Sequence, residues 1–293
     1  MRNPLRTEKI AFSLLFLATL LIVVPVGLTV VIIIQKGLPA MLNRGQAGIP
    51  AINWQFITDI PRQGMRAGGI FPAIIGTAYL VSGAIIFALP IGLMAAIYLS
   101  EYSRDNFLSR IIKLAIVNLA GVPSVVYGLF GLALFVVFFK FGASILSGSL
   151  TLGIMILPII ITTSREALES VPYSFREVSR SLGASKWQTI RHIVLPNAIS
   201  GILTGTILGL GRAAGETAPI LFTVAAFYLP QLPKSIFDQA MALPYHLYVI
   251  STQVPNVDEK IRYGTALVLL VLVLFMNLVA IIIRYRFRKK KKW

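Results

Sequence analysis

Long apolar runs separated by short polar segments make up most of this chain. A helix that crosses about 30 Å of hydrocarbon needs roughly 20 mostly apolar residues. Six stretches reach that length: 10–34, 74–99, 114–139, 145–163, 197–227 and 265–283. The prolines inside them fit membrane helices, where neighbours can satisfy the freed carbonyls. The pattern predicts an all-α integral membrane protein with six transmembrane helices.

Composition and charge support this reading and add an orientation. The 293 residues are 56% hydrophobic and 13% charged, against about 25% charged in a typical soluble domain. With no cysteine in the sequence, disulfides and thiolate sites are excluded. The net charge of +16 comes from Lys and Arg that cluster on one side: the N-terminus, the second-to-third loop, 165–191 and the tail. Because positive charge collects on cytoplasmic loops, both termini are predicted to be cytoplasmic.

One of these basic segments, 165–196, has the pattern of a helical hairpin. Ser174 with Glu177, and Ser185 with Gln188, each fit a capping box. Gly183 between them is suited to the left-handed turn that ends a helix. The segment is therefore predicted to form helix, glycine turn and helix at the membrane surface, leading into the next span.

The same segment resembles the EAA loop of ABC-importer permeases, which docks on a separate ATPase subunit. The resemblance rests on Glu177, Gly183 six residues later, and the I-x-L-P ending formed by Ile193, Leu195 and Pro196. Val178 and Ser179 stand where the family has two alanines. The resemblance implies an ATPase-docking surface that includes these residues and the basic neighbours Arg176 and Arg180. The alternative is an ordinary amphipathic hairpin at the interface.

The fifth span contains the most costly residues for a membrane interior, Arg212 and Glu216. At four-residue spacing they share one face of a helix, and the same arc carries Gly201, Gly205 and Gly209. Small residues at this spacing allow another helix to approach closely. An ionisable residue in a span is by default a functional-site hypothesis, so we predict that the pair lines the substrate path. The alternative is a structural pair that neutralises itself.

Three further segments, 68–77, 121–131 and 209–219, are similar to the phosphate-specific ABC permeases, and most of all to their PstA-type subunit. That family implies the MetI-like permease fold in a bacterial or archaeal cytoplasmic membrane. It also implies a sister permease, two ATP-binding subunits, an extracytoplasmic phosphate-binding protein, and phosphate passing between the two permeases. ATP and Mg²⁺ would be bound by the partner ATPase, and no cofactor or metal by this chain.

The chain carries no P-loop pattern and no catalytic motif, so we expect a transporter subunit and not an enzyme. Import of another oxyanion, such as sulfate or molybdate, is an alternative, and an ion-coupled secondary transporter or membrane-embedded enzyme is a less favoured one. The predicted organisation is a first helix with an outer segment (1–70), a permease core (71–283) with its cytoplasmic loop (165–196), and a basic tail (284–293).

Overall fold

A computed structural model describes residues 4–44, 50–104 and 106–289, and these are almost entirely helical. Its helices are α1 (Pro4–Met41), α2 (Trp54–Thr58), α3 (Phe71–Ile97), α4 (Phe107–Ala120), α5 (Ser124–Gly131), α6 (Ile145–Glu169), α7 (Tyr173–Ser181), α8 (Lys186–Thr189), α9 (Leu195–Gly215), α10 (Ala218–Thr223), α11 (Leu243–Thr252) and α12 (Glu259–Lys289). Three of them continue without a break into π-helical turns: α3 into Tyr98–Tyr102, α5 into Leu132–Phe138 and α8 into Ile190–Val194.

Five helical stretches of the described residues are long and apolar enough to cross a membrane, and a bent pair makes a possible sixth. The five are Ala11–Met41, Phe71–Tyr102, Ile145–Glu169, Lys186–Gly215 and Glu259–Arg286. The first, second, fourth and sixth predicted spans are confirmed as single helices.

The third predicted span, 114–139, is wrong as a continuous helix. Its residues fall in α4 and in α5 with its π-helical extension, and the two pieces meet at a bend of 102°. Gly121 caps α4, and Pro123 disfavours helical backbone at the residue before it. The chain therefore turns between the two helices while its composition stays apolar.

The fifth predicted span, 197–227, is also wrong as a continuous helix. Helix α9 ends at Gly215, Glu216 is extended with ψ 136°, and α10 begins at Ala218. Pro219 lies in the first turn of α10, where its missing N–H is not needed. The break displaces α10 from the line of α9 and packs it against α5, where Gly128 lies close to Ala218 and Pro219.

Helix α3 and helix α6 form the centre of the bundle, and α9 packs on the same α6. Small residues allow this approach: Ala84 and Ala88 of α3 are fully buried, and Gly153 of α6 lies against Phe87. Helix α1 packs mainly against α12 and leaves its apolar side chains exposed, as expected of a peripheral helix in lipid.

Two connecting segments, one between α1 and α3 and one between α10 and α12, contain short secondary structure. The first has two small antiparallel hairpins, and the second has α11. Strand β1 (Leu42–Arg44) pairs with β2 (Pro50–Ile52), and β3 (Pro61–Arg62) pairs with β4 (Ala67–Gly68). The predicted basic tail, 284–293, continues α12 as far as Lys289, and its last four residues lie outside the described part of the chain.

Candidate functional site

Helices α7 and α8 form the predicted hairpin, residues 173–189. Gly183 has φ +83°, and the turn has Schellman geometry because Ala184 N–H donates to the Ser179 carbonyl and Gly183 N–H to the Arg180 carbonyl. The second arm begins with the predicted capping box, in which Gln188 N–H donates to Ser185 Oγ and Ser185 N–H to Gln188 Oε1. Local sequence signals therefore account for the turn and for the start of α8.

The first predicted capping box, between Ser174 and Glu177, does not form. With Ser174 as N-cap the helix would begin at Phe175, but α7 begins two residues earlier, at Tyr173, and its N-cap is Pro172, which makes no side-chain capping bond. Pro172 has φ −54° and ψ 138°, the non-helical backbone typical of an N-cap residue, so the helix starts at the residue that follows it. Glu177 is left exposed on the surface of the hairpin.

Most of the predicted docking residues lie at the surface of the hairpin and of the turn that follows it. Glu177, Arg180, Gly183 and Pro196 are exposed, and Ile193 and Leu195 are half-buried. Arg176 differs, because its side chain is only 9% exposed and pairs with Glu101 at the end of α3. The structure therefore removes the Arg176 guanidinium from the exposed surface, while docking by the other residues stays a prediction.

The hairpin also exposes large apolar side chains that the sequence reasoning did not select. Leu182 at the turn is 83% exposed, and Tyr173, Val178 and Trp187 are each more than half exposed. Exposed apolar groups on an otherwise polar and basic element are typical of an interaction surface. The sequence signal for this surface is Leu182, an apolar residue directly before the turn glycine in an otherwise polar and basic segment.

The glycines of α9 lie against α6. A Cβ atom at Gly205 would overlap the Thr163 hydroxyl, and one at Gly201 would overlap the Ala167 methyl. Gly209 has ordinary contact distances to Ile156 and Ile160. The stripe therefore brings the backbone of α9 onto the central helix α6 and fixes the position of the Arg212 and Glu216 segment that follows.

Arg212 and Glu216 are brought together, although not on one continuous helix. Arg212 Nε lies 3.5 Å from Glu216 Oε1, and the two side chains are 32% and 19% exposed. This single long contact is the one ionic or hydrogen-bonded contact that the Arg212 side chain makes within the described residues. A guanidinium has five N–H donors in a planar fork, so most of its donors are free for another acceptor.

Glu216 lies beside a narrow cavity at the centre of the bundle. The cavity has a volume of about 10 Å³ and is also lined by Thr77 and Leu80 of α3, Leu152 of α6 and Pro244 of α11, and that volume corresponds to roughly one water molecule. Glu216 thus lies where residues of α3, α6 and α11 converge, and the Arg212 side chain is the more exposed of the two. This arrangement suits an anion that approaches Arg212 and competes with Glu216 for it.

Residues 88–293 match the family described as the inner membrane component of binding-protein-dependent transport systems. The chain belongs to this family. It is an ABC-importer permease and a multi-pass membrane protein, a channel component and not a catalytic enzyme. Among curated relatives, it is 32% identical to the probable ABC transporter permease protein YqgI of Bacillus subtilis, over 90% of each chain. It is also 32% identical to the probable phosphate transport system permease protein PstA of Methanocaldococcus jannaschii, over 90% of this chain and 89% of that protein.

Solved structures of ABC importers share the fold. A chain of the methionine transporter MetNI in an inward-facing conformation matches with a TM-score of 0.60 at 16% identity, covering 74% of this chain and 97% of the other. A chain of the bacterial alginate transporter in complex with its periplasmic protein matches with a TM-score of 0.62 at 15% identity, covering 93% and 94%. The MetI-like permease fold implied by the resemblance to ABC permeases is thereby confirmed.

Proposed function

We propose that this permease imports inorganic phosphate across a cytoplasmic membrane, along the interface with a sister permease, using ATP hydrolysed by separate subunits. The observation that carries the proposal is the environment of Arg212. Its guanidinium lies where the span breaks after α9, has one long ionic contact, and keeps donors that fit phosphate oxygens. The naming of the Methanocaldococcus jannaschii relative and of a Mycobacterium tuberculosis relative, 37% identical over 70% of this chain, as phosphate transport permeases supports the choice of anion.

The proposed ATPase surface is the exposed face of the α7–α8 hairpin. It combines the basic Arg180, the acidic Glu177 and the apolar Leu182 around a turn of defined geometry. A mixed apolar and charged patch of this kind is typical of a docking surface whose apolar centre is surrounded by polar groups. An extracytoplasmic phosphate-binding protein would deliver the substrate to the opposite side.

The experiment is uptake by the reconstituted complex of this permease with its sister permease and ATPase in proteoliposomes, with the phosphate-binding protein supplied. We expect import of radiolabelled phosphate that requires ATP, and no ATP hydrolysis by this chain alone. Excess sulfate or molybdate should leave phosphate import unchanged. Import of sulfate or molybdate in preference to phosphate would show that the permease carries another oxyanion. ATP hydrolysis by the isolated chain would contradict the proposal that separate subunits hydrolyse ATP.

A further inference from the structure

A buried ion pair joins the α7–α8 hairpin to the end of α3. Arg176 Nη2 donates to Glu101 Oε1 at 2.6 Å, and Arg176 Nε lies 3.1 Å from Oε1 and 3.4 Å from Oε2. The two side chains are 9% and 6% exposed. Because two N–H groups of the guanidinium donate to one carboxylate, the contact restricts the orientation of the two side chains as well as their distance.

The same guanidinium also binds the end of α6. Arg176 Nη1 donates to the Val171 carbonyl at 2.7 Å, and Nη2 donates to the Leu168 carbonyl at 2.9 Å. Leu168 lies in the last turn of α6 and Val171 lies two residues beyond its end, so these two bonds hold the guanidinium at the C-terminal end of this helix, where carbonyls are accessible to outside donors. One side chain therefore connects the ends of α3 and α6 to the first arm of the hairpin.

The second arm reaches the same end of α3. Lys186 Nζ lies 4.6 Å from the centre of the Tyr102 ring, a cation–π contact. The apolar cluster beneath, with Ala96 and Ile97 of α3 packed near Ile190, also joins these elements. Because apolar contact is non-directional, it tolerates small slides, whereas the Arg176–Glu101 pair does not.

Helix α3 leads from this pair to the candidate substrate site. Its Tyr98–Tyr102 turn carries Glu101, and its other half contributes Thr77 and Leu80 to the cavity beside Glu216. A displacement of the hairpin that is passed to the end of α3 would therefore reach the walls of that cavity.

We propose that Glu101 and Arg176 are positioning residues that make the hairpin and α3 move as one body, so that hairpin movement reaches the Arg212–Glu216 site. This inference rests on the proposed function, because the movement is attributed to ATPase subunits docked on the hairpin. The pair is predicted to determine how much substrate is moved for each ATP, and not whether the ATPase binds.

The decisive variant is the double substitution Glu101→Gln with Arg176→Gln. Removing one partner would leave an uncompensated buried charge, which is strongly destabilising, whereas removing both charges together avoids it. The matched control is Lys36→Gln with Glu259→Gln, which removes an exposed ion pair with 3.3 Å between Nζ and Oε2. Both double variants are reconstituted with the partner subunits, as for the parent.

We expect the Glu101→Gln/Arg176→Gln complex to assemble and hydrolyse ATP, while phosphate imported per ATP falls at least about fivefold, as when an allosteric coupling is lost. The Lys36→Gln/Glu259→Gln control should import as much phosphate per ATP as the parent. A parental ratio in the assembled Glu101/Arg176 variant would overturn the inference and leave the proposed function standing. A parent chain that forms no ATP-hydrolysing complex would overturn both.

A distance measurement gives a readout that a purely stabilising role would not change. The chain has no cysteine, so spin labels can be attached at Ser181→Cys in the hairpin and Met94→Cys in α3, both exposed positions. In the parent complex we expect the same label distance without nucleotide and with trapped ATP. In the Glu101→Gln/Arg176→Gln background the distance should differ between the two states. A distance that changes with ATP in the parent, or that stays fixed in the variant, would overturn the one-body movement.

Discussion

Two arginines near the functional segments illustrate how the surroundings of a charge decide its role. Arg176 is buried, and its Nε, Nη1 and Nη2 atoms all donate to protein acceptors. Arg212 is one-third exposed and has one contact, 3.5 Å long. A guanidinium whose donors are all occupied positions other groups, whereas one with free donors can bind a ligand. This difference supports the proposed roles, with Arg176 as a positioning residue and Arg212 in the substrate path.

The double substitution Arg212→Met with Glu216→Met separates a substrate role from a structural pair. Each single substitution leaves one charge without its partner, whether the pair binds substrate or is only structural. Neither single variant can therefore distinguish the two roles. We expect the double variant to assemble with its partner subunits and to import phosphate at least about tenfold more slowly than the parent, a loss of about 1.4 kcal/mol in transition-state stabilisation. Uptake in proteoliposomes after an assembly check is the measurement, and near-parental uptake would remove both residues from the substrate path.

Buried His246 predicts that the fold weakens in acid. Helix α11 lies outside the candidate spans, His246 is 3% exposed, and burial lowers its pKa from 6.5 to about 4. His246 therefore takes up a proton below about pH 6.5 in the unfolded chain, but only below about pH 4 in the folded chain. Stability is lost across that window as the pH falls, by roughly 2 kcal/mol at pH 5.

Thermal unfolding of the purified permease in detergent at pH 7.5 and pH 5 tests this. The parent should melt at a lower temperature at pH 5, and His246→Leu should have a smaller difference between the two pH values. The exposed His192 provides the control, since His192→Leu should keep the parental difference. An unchanged pH response in His246→Leu would contradict the assignment.

At the scale of elements, glycine determines how two helices meet. Helix α9 approaches α6 closely because Gly205 has no Cβ atom to meet Thr163. Gly183 acts through its backbone instead, since no atom lies within 4 Å of its Cβ position, and its φ of +83° is the constraint.

Gly205→Val is expected to force α9 away from α6. Overpacking at a tight contact costs about 1–3 kcal/mol, so the thermal midpoint should fall and phosphate uptake with it. Gly27→Val is the matched control, because nothing lies within 4 Å of the Gly27 Cβ position in α1. A Gly205→Val variant as stable as Gly27→Val would show that α9 and α6 are not in tight contact.

The α7–α8 hairpin is expected to lose ATPase affinity when its exposed apolar tip becomes charged. Leu182→Asp places a carboxylate at a position that is 83% exposed, so folding should be unaffected. If Leu182 enters a pocket of the ATPase, binding should weaken by at least about 1–2 kcal/mol, a loss typical of a central interface residue. Titration of the labelled ATPase onto the permease in nanodiscs measures the affinity, and Leu232→Asp in the opposite outer loop should match the parent. Equal affinities in the two variants would place the docking surface elsewhere.

At the scale of the whole molecule, the sequence predicts those features that depend on residues close together in the chain, and it does not predict those that depend on distant residues. The hairpin was predictable because Gly183 and the Ser185–Gln188 box act within a few residues. The breaks in the third and fifth spans were not, since the apolar composition runs on through Gly121 and Gly215 while the backbone turns. Glu101 and Arg176 are 75 residues apart, and no periodicity links them, so their pairing required the fold.

The orientation of the molecule in the membrane is the last prediction, and it decides whether the hairpin can meet an ATPase. Most Lys and Arg residues outside the spans lie with the termini and the hairpin, and positive charge favours the cytoplasmic side. Because the chain has no cysteine, single exposed positions can be labelled one at a time: Ser181→Cys in the hairpin and Gln231→Cys in the loop between α10 and α11. The test uses cells whose cytoplasmic membrane is intact and whose outer layers let a membrane-impermeant maleimide through. The maleimide should label Gln231→Cys. It should label Ser181→Cys only after the cytoplasmic membrane has been permeabilised. Labelling of Ser181→Cys in intact cells would place the hairpin outside, where no ATP is available, and would contradict both the docking surface and the coupling through Glu101 and Arg176.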